Sequence, residues 1–257
     1  MVKWLREPVP DHPAPLMLAH LAQTGFTGTA ALAGSLSDAA GLRALVTEYL
    51  PGARDGWEWC VDDLLAGDTT FPAKLGTLAA GLHAALATPS AVLPNPIEPA
   101  GFNRSSSAPG LLSVVLAETG GHNGAWLKSR EPALRSALEL PGELGSTPLI
   151  RVHGDLHVGQ ILRWDGGLAV IDFDGNPAVR EGPWQPAARD VAQLLMSLEH
   201  VAAIAARRRQ GDELLVTIPP GVETARRTFL GSYRATLADR GKSQILDERL
   251  LPAGAPP

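Results

Sequence analysis

Residues 153–160 have the sequence HGDLHVGQ, which is followed after a short apolar hairpin by IDFD at residues 171–174. The hairpin is predicted from two runs, ILRW at 161–164 and LAVI at 168–171, which flank the turn sequence DGG. Glycine supplies the positive φ angles that a tight β-connection needs, so the two runs should pair antiparallel. This pairing would bring Gln160, before the first strand, beside Asp172, after the second, roughly 5 Å apart at the backbone.

Gln160 and Asp172 would then offer an amide oxygen and a carboxylate oxygen at one end of the hairpin. Oxygen ligands of this kind suit Mg²⁺, which retains several waters and takes further ligands from bound phosphates. Asp155 lies just upstream in the same loop, where it can act as a general base. The combination predicts phosphoryl transfer.

The spacing of these residues resembles the catalytic loop and metal motif of the protein-kinase-like superfamily, in the form found in aminoglycoside phosphotransferases and related sugar kinases. The resemblance makes Asp155 the catalytic base and makes Gln160 and Asp172 the ligands of Mg²⁺. Gln160 stands where most members have Asn. Together with the stretch Asp174-Gly175-Asn176, this departure is most similar to the actinobacterial maltokinase and glucosamine kinase branch.

The first fifty residues resemble the nucleotide-binding part of the same superfamily. Lys3 corresponds to the lysine that holds the α- and β-phosphates of ATP, and residues 12–26 correspond to the helix that follows. Glu48 and Leu50 correspond to the hinge, whose backbone groups bind adenine. Position 16 or 17, where relatives have a glutamate that pairs with the lysine, is Leu or Met here, so the usual ion pair is expected to be missing.

The resemblance implies an α+β protein-kinase-like fold with a mainly helical C-terminal lobe and a truncated N-terminal lobe. Residues 1–50 would be the remnant of the nucleotide-binding lobe with the hinge, and residues 51–257 the helical lobe. We expect truncation because Lys3 leaves no room upstream for the glycine-rich strands that cover the nucleotide in this superfamily. The chain by itself is therefore expected to be a feeble enzyme, or an inactive one.

A sugar is the substrate that the resemblance implies, with ATP as the phosphate donor. Glucosamine is preferred, because the stretch from Asp174 to Gln185 is rich in hydrogen-bond acceptors that suit an amino sugar and is most similar to glucosamine kinases. Trp184 is expected to offer an aromatic face to the sugar ring. The residues assigned to the sugar site are Asp174, Asn176, Trp184, Gln185 and His157.

Other polar residues are expected to support the site. His153 would tether the catalytic loop, and Arg189 with Asp190 would brace that loop from behind. His83 lies beside the apolar face of a predicted helix and is expected to be a packed core histidine.

Three further segments have patterns that predict their secondary structure. A helix is predicted after a hydroxyl cap within Thr69-Thr70-Phe71-Pro72, and an amphipathic helix is predicted to open at Pro186. Residues 88–110 contain five prolines, which favour a long loop, and helical character resumes over residues 111–117.

Composition restricts the class of protein. The formal charge of −5 argues against nucleic acid as a partner. The sequence contains no run of about 18 apolar residues, so no membrane span is predicted. The single cysteine, Cys60, excludes an internal disulfide and fits a cytoplasmic protein. The oligomeric state cannot be read from the sequence.

Several alternatives remain open. Maltose or an aminoglycoside could replace glucosamine as the substrate of the same chemistry. A non-catalytic remnant that binds a sugar or a partner without retaining ATP is the rival from another class. A hydrolase built on Asp172 and Asp174 is disfavoured, because no alternating βα pattern surrounds the hairpin.

Overall fold

The computed structural model describes residues 1–101, 108–138, 146–175, 182, 184–210 and 221–251. The chain divides into two compact units, one of Met1–Glu98 with Pro148–Pro257 and one of Pro99–Thr147. The mixture of helices and sheets confirms the predicted α+β class. The predicted division into two lobes at residue 50 stays a prediction.

The strands are β1 (Val2–Val9), β2 (Leu32–Asp38), β3 (Gly41–Thr47), β4 (Glu98–Gly101), β5 (Ser146–Arg151), β6 (Ile161–Trp164), β7 (Gly167–Val170) and β8 (Trp184–Gln185). The helices are α1 (Pro13–Gln23), α2 (Gly56–Ala66), α3 (Phe71–Leu86), α4 (Ala108–Glu118), α5 (Gly121–Ser129), α6 (Glu131–Leu138), α7 (Ala188–Gln210) and α8 (Val222–Asp239).

The first strands form an antiparallel sheet in the order β1-β3-β2. Strand β3 is central and contributes the buried residues Leu42, Ala44 and Leu45, whereas alternate residues of β1 are exposed. Lys3 lies opposite Leu45 in this sheet. The sheet therefore holds Lys3 on a paired strand, as the sequence predicted.

Helix α1 is shorter than the predicted segment 12–26. It begins after His12, whose Nδ1 accepts a hydrogen bond from the Ala14 N–H at 3.2 Å. It ends at Gln23, and Gly25 then adopts a left-handed φ of 75°, a conformation that glycine adopts without steric cost.

The predicted hairpin is present as strands β6 and β7, with Ile161 opposite Val170. It is fastened to helix α2 by two contacts. The indole N–H of the fully buried Trp59 donates to the Ile161 carbonyl at 3.0 Å, and the Arg163 guanidinium binds both carboxylate oxygens of Asp63 while stacking on the Trp59 ring. These contacts hold the open end of the hairpin beside helix α2.

Helices α3, α7 and α8 form the main helical core. The apolar faces predicted for α3 and α7 are buried, and both contribute to one cluster with Phe229 and Tyr233 of α8. Two details differ from the prediction. Thr70 precedes α3 but its hydroxyl makes no capping hydrogen bond, and α7 begins at Ala188 rather than at Pro186.

The second unit contains helices α4, α5 and α6. The predicted loop over residues 88–110 is wrong at its end, since strand β4 occupies 98–101 and helix α4 begins at Ala108. Pro109 is compatible with this start because the first helical turn does not need its N–H group. Within the residues that are described, no helix is both long enough and apolar enough to cross a membrane.

Candidate active site

The catalytic loop follows strand β5 and ends in a short 3₁₀ helix, Val158–Gln160. Asp155 lies at its centre and is half-buried. Its Oδ1 accepts a hydrogen bond from the Gln193 side-chain amide at 3.3 Å, and its Oδ2 lies 3.9 Å from Nε2 of His157. The carboxylate is thus positioned by a neighbouring helix while it keeps contact with solvent.

One polar face of helix α7 holds this loop. Asp190 accepts the backbone N–H groups of His153 and Gly154, at 2.8 and 2.9 Å. Gln193 accepts the N–H of Leu156 at 3.0 Å, and Ser197 accepts the N–H of Val158 at 3.2 Å. The three acceptors follow the spacing i, i+3 and i+7, which places them on one side of a helix. Sequence reasoning missed Gln193 and Ser197, although this spacing of polar residues within an apolar helix was a readable signal.

Asp190 and its partners form a buried polar network. The carboxylate also accepts from His83 Nε2 at 3.1 Å, and His83 Nδ1 lies 2.6 Å from the Tyr233 hydroxyl. Burial alone would raise the pKa of Asp190, but its interactions with His83 and the Gly154 N–H hold that pKa below its ordinary value. Asp190 therefore remains a charged acceptor beneath the loop. Burial raises the pKa of Tyr233 well above its ordinary value, so its hydroxyl stays protonated.

His153 connects the catalytic loop to the segment after the hairpin. Its Nε2 is 2.8 Å from the Ile171 carbonyl, and its Nδ1 accepts the Asp155 N–H at 3.3 Å. The ring also packs against Phe173, with centroids 5.0 Å apart. These are contacts that a tethering residue needs, and the role itself stays a prediction. Arg189, assigned with Asp190, donates to the Gly154 carbonyl at 3.3 Å.

Lys3 reaches the segment after strand β7. Its Nζ binds the carboxylates of Asp172 and Asp174, the second at 2.6 Å. Burial lowers the pKa of Lys3, but the hydrogen bonds and charges of the two carboxylates outweigh that effect and raise the pKa above its ordinary value. Lys3 is thus a fixed positive charge beside the predicted metal ligand Asp172.

The expected cross-strand pairing of Gln160 with Asp172 is wrong by one residue. The Gln160 carbonyl accepts the N–H of Ile171 at 2.9 Å, so Ile171 is the residue opposite Gln160. Asp172 lies one position further on and has a left-handed φ of 65°. An aspartate tolerates this conformation better than most residues, and the backbone turn directs its side chain to Lys3.

A cavity of about 470 Å³ lies beside Lys3 and Asp172. The predicted hinge residues Glu48 and Leu50 line it, together with apolar side chains such as Leu45 and Leu162. The Glu48 N–H is already bonded to the Ala31 carbonyl at 2.8 Å. The structure thus brings Lys3, Glu48 and Leu50 to one largely apolar cavity, and their role in binding a nucleotide stays a prediction.

A second cavity, of about 420 Å³, contains two of the residues assigned to the sugar. Asp174 and Gln185 line it, as do Asp11, Arg151 and Arg189. Gln185 is also bonded to Arg189 and to the Gly182 carbonyl.

The remaining residues assigned to the sugar are Trp184, His157 and Asn176. Trp184 lies on β8 opposite Arg151, whose guanidinium is 5.4 Å from the centre of the indole. His157 stacks on Trp57 at 5.9 Å, and its Nδ1 is buried with no hydrogen-bond partner among the described residues. Asn176 lies outside the described residues.

Comparison with known proteins places this geometry among phosphotransferases. Residues 16–226 match the model of the APH phosphotransferase enzyme family. A glucosamine kinase of Streptacidiphilus jiangxiensis is 39% identical over 271 aligned positions, which cover 98% of this chain and 61% of that protein. A glucosamine kinase of Mycolicibacterium smegmatis is 35% identical, with coverage of 98% and 67%.

Solved structures agree with this assignment of the fold. A crystal form of a glucosamine kinase superimposes with a TM-score of 0.82 at 37% identity, covering 99% of this chain and 65% of that one. A glucosamine kinase in complex with glucosamine, ADP and inorganic phosphate superimposes with a TM-score of 0.80 at 37% identity, covering 99% and 64%. The chain thus spans between 61% and 67% of the length of these relatives.

Proposed function

Because the chain belongs to the APH family of phosphotransferase enzymes, we propose that it transfers the γ-phosphate of ATP to a hydroxyl group of glucosamine, with Mg²⁺ as the metal. The observation that carries this proposal is the position of Lys3 and Asp172 in one cavity with the hinge residues Glu48 and Leu50. The cation suits the phosphates of ATP, the carboxylate suits the metal, and the apolar surface suits the adenine base.

Asp155 is the proposed base of the reaction. It would accept the proton of the attacking sugar hydroxyl, and the Gln193 amide holds one of its oxygens in place. In phosphoryl transfer most of the catalysis comes from positioning and charge neutralisation, so the fixed loop matters as much as the basicity of Asp155.

The donor groups suit magnesium. Asp172 has an exposed carboxylate at the nucleotide cavity, and the Gln160 amide would supply a second oxygen. In the part of the chain that is described, no three His, Cys, Asp or Glu side chains are grouped to hold a metal by themselves, so the proposal relies on phosphate and water for the remaining ligands. The metal would neutralise charge on the phosphates.

Glucosamine is proposed because two relatives that align with 98% of the chain are glucosamine kinases. The second cavity supports an amino sugar, since the carboxylates of Asp11 and Asp174 and the amide of Gln185 are acceptors for an ammonium group. Trp184, Asn176 and His157 stay predicted sugar contacts.

The test is a coupled assay of ADP release by the purified chain with ATP, Mg²⁺ and either glucosamine or glucose. The two sugars differ at one substituent, so a site that pairs the amino group should favour glucosamine by about tenfold or more in kcat/KM. Asp155→Asn is the control and should lower kcat by about 100-fold or more without changing the circular dichroism spectrum. Phosphorylation of glucose but not of glucosamine would overturn the proposal, and a preference for maltose would reassign the substrate.

A further inference from the structure

Helix α1 has no acidic residue with which to hold Lys3. Its sequence from Pro13 to Gln23 contains neither Asp nor Glu, and Met17 is buried in the core. A lysine on an exposed strand is a flexible side chain, so it needs a partner if it is to present its charge at a fixed place. Because helix α1 has no carboxylate, the partner that positions Lys3 must lie on another part of the chain.

Asp174 provides the contact that the helix lacks. Its Oδ2 accepts from Lys3 Nζ at 2.6 Å, and its Oδ1 lies 3.5 Å from His12 Nε2. The two oxygens of one carboxylate are thus engaged by residues on two different elements. Because both are engaged, the carboxylate has a defined orientation.

His12 connects this carboxylate to the helix. Its Nδ1 accepts the Ala14 N–H, so in the neutral ring Nε2 carries the proton and faces Asp174. The His12 side chain is almost fully buried, and the preceding Asp11 has a left-handed φ of 49° that fixes the turn between β1 and α1. His12 is thereby both the N-cap of α1 and a close neighbour of the Asp174 carboxylate.

We propose that Asp174, oriented by His12, is the residue that positions Lys3 for the nucleotide phosphates, in place of an acidic residue in helix α1. This inference rests on the proposed function. Asp172 also touches Lys3, but a bound metal would compete with Lys3 for its carboxylate. Asp174 is then the partner that keeps Lys3 in place, and helix α1 is coupled to the phosphate site through His12.

The first test measures ATP affinity by calorimetry, without sugar, on the full chain and on Asp174→Asn. A hydrogen bond between charged groups is lost, so we expect ATP to bind about tenfold more weakly or worse. Asp174→Glu keeps the charge and should retain most of the affinity. The loss of affinity in Asp174→Asn should appear without any sugar present, which a residue that only contacts glucosamine would not produce. A raised KM for glucosamine with unchanged ATP affinity would instead make Asp174 a sugar ligand and overturn the inference.

The second test separates the two roles of His12. Asn is a strong N-cap, so His12→Asn should preserve the thermal midpoint while it weakens ATP binding, whereas His12→Ala should lower both. Equal ATP affinity in His12→Asn and the unaltered chain would remove His12 from the scheme.

The outcomes distinguish the inference from the proposed function. An unaltered chain that binds ATP and phosphorylates glucose but not glucosamine would refute the proposed function and leave the affinity comparison valid. An unaltered chain that phosphorylates glucosamine, with Asp174→Asn binding ATP equally well, would refute only the inference. Failure of the unaltered chain to bind ATP would refute both.

Discussion

At the scale of single residues, two helical glycines show how the same side-chain change can have opposite effects. Gly76 lies in α3 where α8 passes closely, and a Cβ atom there would be 2.3 Å from the Phe229 carbonyl oxygen. Gly231 lies in α8, and a Cβ atom there would have no neighbour within 4 Å. Gly76 is therefore required by packing, whereas Gly231 is not.

Gly76→Ala is expected to lower the free energy of unfolding by about 1–3 kcal/mol, because the added methyl group overpacks the contact between α3 and α8. Gly231→Ala should raise the free energy of unfolding by about 0.5–1 kcal/mol, because alanine is the better helix former. Urea unfolding followed by circular dichroism measures both. Changes of the same sign would contradict the packing described for Gly76.

At the scale of secondary-structure elements, the network of His83, Asp190 and Tyr233 joins three helices to the catalytic loop. His83 lies on α3, Asp190 on α7 and Tyr233 on α8, and all three side chains are buried. Since Asp190 also binds the N–H groups of His153 and Gly154, packing of the helices fixes the backbone beside Asp155. The expected core histidine at position 83 is thus part of the support of the loop.

Tyr233→Phe should lower the free energy of unfolding by about 1–3 kcal/mol, because His83 Nδ1 loses its buried partner while the aromatic packing against Phe229 is kept. The chain offers a matched control, since its other tyrosine, Tyr49, is 69% exposed. Tyr49→Phe should change the free energy of unfolding by no more than about 0.5 kcal/mol. Equal urea midpoints for the two variants would show that the hydroxyl of Tyr233 contributes nothing to the network.

At the scale of the whole molecule, buried titratable groups make the stability sensitive to acid. Burial lowers the pKa of His20, whose ring is held between the Ser90 hydroxyl at 2.7 Å and the Ala85 carbonyl at 3.1 Å. In the unfolded chain histidine binds a proton below about pH 6.5. As the pH falls, His20 therefore binds a proton in the unfolded chain before it does so in the folded chain. Its contribution to the free energy of unfolding is complete above about pH 6.5 and is lost as the pH falls towards the lowered pKa of the folded state.

Thermal unfolding should accordingly show a lower midpoint at about pH 5 than at about pH 7, and His20→Gln should reduce the difference between the two midpoints. His122→Gln, at an exposed position in α5, is the control and should leave the difference unchanged. Asp190 contributes at lower pH. Its pKa is depressed, so its contribution is complete above about pH 3.9 and is lost below that value. A His20→Gln variant with the full acid-induced decrease would exclude His20 as its source.

Much of the fold and of the candidate site was predictable because the evidence is local in the sequence. The turn DGG between two apolar runs predicted the hairpin, and the helical spacing of Leu75, Leu82 and Leu86 predicted the buried face of α3. The motif residues from His153 to Asp174 indicated a phosphotransferase through their resemblance to aminoglycoside phosphotransferases, and the match to the APH family agrees.

Local patterns in the amino-acid chain predict the secondary-structure elements and the chemical groups they contain, whereas the contacts between distant groups depend on the tertiary structure. Lys3 and Asp174 are 171 positions apart, and the contact depends on how the first sheet packs against the segment after β7. Likewise, Asp172 adopts a left-handed turn, and its side chain contacts Lys3, 169 positions away in the sequence. The physical reason is that hydrogen bonding and side-chain periodicity act within an element, whereas pairing of distant charges depends on the packing of the whole core.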